Sequence, residues 1–76
     1  MKYKNIVTDP KICHGTPVFK GTRIPIYVIL EFLSAGENIE NILLNYPQIK
    51  DKHVREALQF AAETFRYEEE LIELSH

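Results

Sequence analysis

Seventy-six residues with a net charge of −2, 45% apolar and 26% charged, leave room for one small domain and no second core. A chain of this length buries only about 60% of the surface its unfolded form exposes, so a second copy is the expected source of extra stability. No apolar run approaches the roughly 18 residues of a membrane span. The opening MKYKNIVTDPK lacks the apolar stretch of a secretory leader, and one cysteine makes no internal disulfide, so the cytoplasm is the expected compartment.

The first third reads as short extended pieces over residues 5–24. Asn5-Ile6-Val7-Thr8 is a candidate strand closed by the turn opener Asp9-Pro10. Val18-Phe19 is a second, and Pro17 before it limits it to a short or edge strand. Such a ribbon is barely stable alone, so it must pack on helices or pair with a second chain. Gly15 and Gly21 suit turns of positive φ, with Pro17 and Pro25 stiffening the flanks.

A first helix is expected over 25–35, with Pro25 at the first helical position and Gly36 as the stop. Ile26 to Leu33 is apolar except at Glu31, so this helix should face a core on one side and a partner chain on the other. A second helix is expected over 39–46, capped by Asn38, with Ile39, Ile42, Leu43 and Tyr46 on one face. Pro47 ends it. A third is expected over 51–74. Val54, Leu58, Ala61 and Phe65 form its apolar face, and Lys52, His53, Arg55, Glu56, Gln59 and Glu63 its polar face. The expected fold class is therefore mostly α (α+β), one domain over 1–76 with a β-ribbon and three helices.

Charge is unevenly spread. Residues 1–25 carry Lys2, Lys4, Lys11, Lys20 and Arg23 against Asp9 alone, a net +4. Residues 67–76 carry Glu68, Glu69, Glu70 and Glu73, a net −4. A basic front and an acidic tail suit two different partners, although scattered charge for solubility gives the same average.

The second and third helices, joined by a short turn at Pro47, have helix-turn-helix spacing. Such motifs set the start of the second helix in the DNA major groove. Lys50, Lys52, Arg55 and Gln59 occupy that end, where Arg and Lys suit guanine, Gln suits adenine and Lys50 suits a phosphate. The same residues also describe the solvated face of a structural helix. GTPVFKGTR is not a phosphate loop, because no lysine stands between Gly21 and Thr22. Arg23 is read as anchored to a carboxylate or as a phosphate contact. Cys13-His14 falls short of the ligands zinc needs, and adjacent residues point apart, so a half-buried structural cysteine is expected. No metal, cofactor or catalytic group is expected.

Gly15-x-Pro17-Val18-Phe19-x-Gly21-Thr22-Arg23-Ile24-Pro25, with Thr8-Asp9-Pro10-x-Ile12-Cys13 before it and Ala35-Gly36-Glu37-x-Ile39-Glu40-x-Ile42-Leu43-x-x-Tyr46-Pro47 after it, closely resembles the bacterial family called domain of unknown function 433. The resemblance runs over roughly residues 5–63. It departs from the family at His14 and Thr16, where Gly and Lys are usual, and at Lys50, where Thr commonly caps the third helix. It implies a homeodomain-like, winged helix-turn-helix fold. It also implies the antitoxin half of a type II toxin–antitoxin pair, with a PIN-like nuclease as the toxin. On that reading Lys20, Arg23, Lys50, Lys52, Arg55 and Gln59 would face DNA in a homodimer. The acidic tail, through Glu68, Glu69, Leu71 and Ile72, would hold the toxin, or form an exposed helix end. The alternative is a non-catalytic protein-interaction module on the same fold.

Overall fold

In the computed structural model, backbone is described for residues 3–74 and side chains for residues 3–66. Three helices pack with a two-stranded antiparallel sheet, in the order β1 (Ile6–Val7), β2 (Val18–Phe19), α1 (Ile26–Ser34), α2 (Ile39–Asn45) and α3 (Asp51–Leu74). Ile6 pairs with Phe19 and Val7 with Val18. The ribbon does not stand alone: Ile6 and Phe19 join Ile26, Ile29, Ile42, Ile49, Val54 and Ala57 in one buried cluster. That placement gives a short ribbon the packed face it needs.

Local chemistry sets each turn. Asp9 Oδ1 accepts the Lys11 N–H at 2.9 Å, and the Asp9 carbonyl accepts the Ile12 N–H at 2.8 Å. The chain then makes a left-handed turn through Cys13, His14 and Gly15, at φ 50°, 58° and 84°. Beyond β2, the Thr22 hydroxyl donates to the Phe19 carbonyl at 2.7 Å and accepts the Ile24 N–H at 3.0 Å. Gly21 sits at φ 79° inside this turn, in the region open to glycine. The Gly-Thr pair is thus the hinge and pin of a hairpin that brings Pro25 into a bridge with Val18.

That bridge corrects the start of α1. Pro25 is extended at ψ 140° and serves as N-cap, so helix begins at Ile26. The Ile26 N–H still donates to the Pro17 carbonyl at 3.0 Å, which holds the entry of α1 to the ribbon. At its other end the Gly36 N–H donates to Leu33, with Gly36 at φ 94°. Asn38 Oδ1 caps α2 by accepting the Asn41 N–H at 2.8 Å.

The burial of α3 is rotated from the expected face. Val54 and Ala57 are buried, but Leu58 is 43% and Phe65 68% exposed. His53, Glu56 and Glu63, expected on the polar face, are half-buried because the ribbon and its leading segment lie along that side. No helix among the described residues is long and apolar enough to cross a membrane.

Candidate nucleic-acid interface

The first three turns of α3 gather three of the charged and amide groups singled out above. Lys52, Arg55 and Gln59 are exposed and line one groove of about 440 Å³. Its other wall is the segment before β1, Tyr3, Lys4 and Asn5, with Glu56 also lining it. Tyr3, Lys4 and Asn5 also border a second depression of about 500 Å³, which Lys20 lines. Five of the basic and amide groups, Lys4, Lys20, Lys52, Arg55 and Gln59, therefore flank one stretch of surface. Lys4 was not singled out in the sequence, because its place beside α3 depends on a contact 51 residues along the chain.

Arg23 and Lys50 border neither depression. Arg23 is exposed and has no carboxylate partner among the described residues. Its carbonyl accepts instead from the Cys13 thiol at 3.6 Å, which leaves Cys13 half-buried at the base of the hairpin. Lys50 immediately precedes α3, where its carbonyl accepts the His53 N–H at 2.9 Å. A lysine side chain has no acceptor to cap a helix. His53 supplies one: its Nδ1 accepts the Lys50 N–H at 2.8 Å, reaching back from the third helical position.

Electrostatics in the groove are mixed. Arg55 Nε donates to Asp51 Oδ2 at 2.6 Å, with the side chains 77% and 50% exposed. A pair this exposed contributes little to stability, so a stronger anionic acceptor can compete for Arg55. Burial works to raise the Glu56 pKa, but hydrogen bonds from Asn5, with His53 and Lys52 nearby, outweigh it and hold the carboxyl below its ordinary value. Burial pushes the His53 pKa down, Lys52 and Lys50 push the same way, and Glu56 opposes them. The Tyr3 pKa is pushed up to about 12, first by its hydrogen bond to Glu63, so the phenol stays a donor at ordinary pH.

A different surface lies between α1 and α3, beside the segment leading into β2. An apolar groove of about 240 Å³ is lined by Pro17, Ile26, Tyr27, Leu30, Phe60 and Phe65, and no charged side chain among the described residues lines it. Tyr27 is 51% and Phe65 68% exposed at its edges. The acidic tail residues Glu68, Glu69, Leu71 and Ile72 lie on the helical backbone of α3, but their side chains fall outside the described residues.

Comparison with known proteins places these features in context. The model of a family described as a protein of unknown function (DUF433) matches residues 6–61. The uncharacterized protein y4eO of Sinorhizobium fredii is 34% identical over 56 residues, which is 74% of this chain. The chain spans about a quarter of that relative's length, 25%. A crystal structure of a DUF433 member protein from Anabaena variabilis shares the fold at a TM-score of 0.76 and 22% identity, over 90% of this chain and 67% of that one.

Proposed function

The chain belongs to the DUF433 family, and from that premise we propose that it is a DNA-binding, antitoxin-like protein that reads the duplex with α3. The observation that carries this reading is the grouping of Lys52, Arg55 and Gln59, all exposed, around one groove in the first half of α3. The helix α2 and a five-residue connection precede them, which supports reading α2 and α3 as a homeodomain-like, winged helix-turn-helix. Lys52 and Lys20 serve as phosphate contacts, while Arg55 and Gln59 have the donors and acceptors for base edges. The net charge of −2 opposes a duplex at long range. The local cations act within about 10 Å at 0.1 M salt, where most of that repulsion is screened.

The test is binding of a fluorescein-labelled duplex over a salt series. Binding that weakens steeply with salt, and is abolished by Lys52→Glu with Arg55→Glu, supports the reading. A complex unchanged by this double reversal removes α3 as the DNA face. The antitoxin half is tested separately with any PIN-like nuclease found encoded beside the gene. Suppression of its RNA cleavage by the purified chain supports it, and undiminished cleavage refutes it.

The apolar groove favours a second reading, a protein-interaction module without DNA binding. We assign its occupant as a second copy of the chain. The groove borders α1, whose apolar character supports a homodimer, together with α3 and the segment leading into β2. A dimer also serves the DNA reading, because paired recognition helices meet two half-sites.

A further inference from the structure

The segment before β1 is fastened to α3 at three successive points. The backbone N–H of Asn5 donates to Glu56 Oε1 at 2.9 Å, and its Nδ2 donates to Glu56 Oε2 at 2.8 Å. The Tyr3 ring meets Phe60 edge-on at 5.5 Å, and its hydroxyl donates to Glu63. Positions 56, 60 and 63 follow one another at helical spacing, so a single stripe of α3 holds the segment. Asn5 also reaches the ribbon, its carbonyl accepting the Lys20 N–H at 2.8 Å. Lys4 stands between these two anchored residues, exposed, and borders both depressions.

We propose that Lys4 is a phosphodiester contact facing Lys52 and Arg55 across the groove, and that the Asn5–Glu56 clasp is the positioning element that sets it there. This rests on the reading of α3 as a DNA-binding helix. The clasp answers two physical requirements. A lysine on an untethered segment surrenders backbone freedom when it binds, whereas one flanked by Tyr3 and Asn5 is already held. The charge of a carboxylate in a phosphate-binding groove repels the ligand even when hydrogen-bonded, so its oxygens must be turned toward other donors. Both Glu56 oxygens accept from Asn5. Arg55 is the third cation of the groove, and its exposed pair with Asp51 is weak enough for an acceptor on the duplex to replace.

The clasp and simple electrostatics predict opposite results for one substitution. Glu56→Gln removes a negative charge from the groove, so charge alone tightens DNA binding. It also replaces one of the two acceptors with an NH₂ group facing a donor, so loss of the clasp weakens binding. The experiment is fluorescence anisotropy of a fluorescein-labelled mixed-sequence duplex with the full chain, over a salt series, for wild type, Lys4→Ala, Glu56→Gln and Lys4→Ala with Glu56→Gln.

Lys4→Ala is expected to lower the slope of log K against log salt by about 0.9, the contribution of one phosphate. Glu56→Gln is expected to lower affinity and slope in the same sense, and the double variant to fall no further than either single one. Asn5→Ala, which keeps the backbone half of the clasp, gives a milder loss and covers the case in which Glu56→Gln unfolds. An unchanged slope for Lys4→Ala overturns the contact. Tighter binding by Glu56→Gln with an undiminished slope overturns the clasp. If the reversal of Lys52 and Arg55 abolishes binding while Lys4→Ala and Glu56→Gln leave it intact, the DNA reading stands and this proposal fails. A wild-type chain that binds no duplex at low salt overturns both.

Discussion

His53 closes the first turn of α3 by accepting the backbone N–H of Lys50 through Nδ1, at 2.8 Å. The same ring meets Phe19 edge-on at a centroid separation of 6.1 Å, so the cap of the helix is also a contact with the ribbon. Only the neutral imidazole can accept at Nδ1. Protonation therefore breaks the cap and adds a cation between Lys50 and Lys52, at the positive end of the helix dipole.

The direction of the His53 shift fixes a pH dependence. Its pKa in the folded chain lies below the ordinary 6.5, through burial first and the two lysines next, with Glu56 opposing. In the unfolded chain the imidazole takes up its proton first as pH falls. Stability is therefore full above 6.5 and is lost as pH falls from there through the lowered folded value. Glu56, held below its ordinary 4.5, acts in the same direction only at lower pH. Urea unfolding at pH about 7.5 and about 5.5 isolates the histidine. Wild type should lose stability between the two, and His53→Gln, which keeps an acceptor without a titrating proton, should lose much less. Equal losses in both chains would assign the effect to other groups.

The helices were legible because their signals are local. Asn38 and Gly36 are side-chain and backbone caps that act within a few residues, and each does so here. Pro25 misled by one position because its bridge to Val18 outweighs its preference for a first helical turn. The face of α3 was harder to read. Its half-buried polar stripe, His53, Glu56 and Glu63, meets Phe19, Asn5 and Tyr3, partners 34 to 60 residues away in the chain. No periodicity marks a hydrogen bond of that span. The cations Lys52 and Arg55 with Gln59 could be named from the sequence, whereas Lys4, placed by the Asn5 clasp, could not.

Ile29 and Leu44 separate core from surface on neighbouring helices. Ile29 in α1 is fully buried, at 0% exposure, in the cluster shared with Phe19 and Val54. Leu44 in α2 is 78% exposed. Ile29→Ala removes atoms from the packed core and should cost about 2–5 kcal/mol, enough to unfold much of a domain this small. Leu44→Ala should stay within about 0.5 kcal/mol of wild type. Thermal denaturation followed by circular dichroism distinguishes them. A comparable drop in both would mean that Leu44 is covered in solution, and a small effect at Ile29 would contradict the packing of α1.

Tyr27 and Phe65 give the test of the homodimer. Both stand exposed at the rim of the apolar groove between α1 and α3. In a two-fold contact the same patch serves both copies, so the Phe65 ring of one can enter the groove beside Tyr27 of the other, and the reverse. Burying an aromatic side chain from water contributes about 1.5–3 kcal/mol, and symmetry doubles each contact. Phe65→Glu places a charge in that apolar seat twice per dimer, which costs far more than the contact returned. Light scattering coupled to size exclusion should find wild type as a dimer and Phe65→Glu as a folded monomer, with Tyr27→Glu shifted the same way. Leu44→Glu, on α2 and away from the groove, should remain dimeric. A monomeric wild type would remove the second copy from the groove. A dimer that tolerates Phe65→Glu and Tyr27→Glu would place the interface elsewhere.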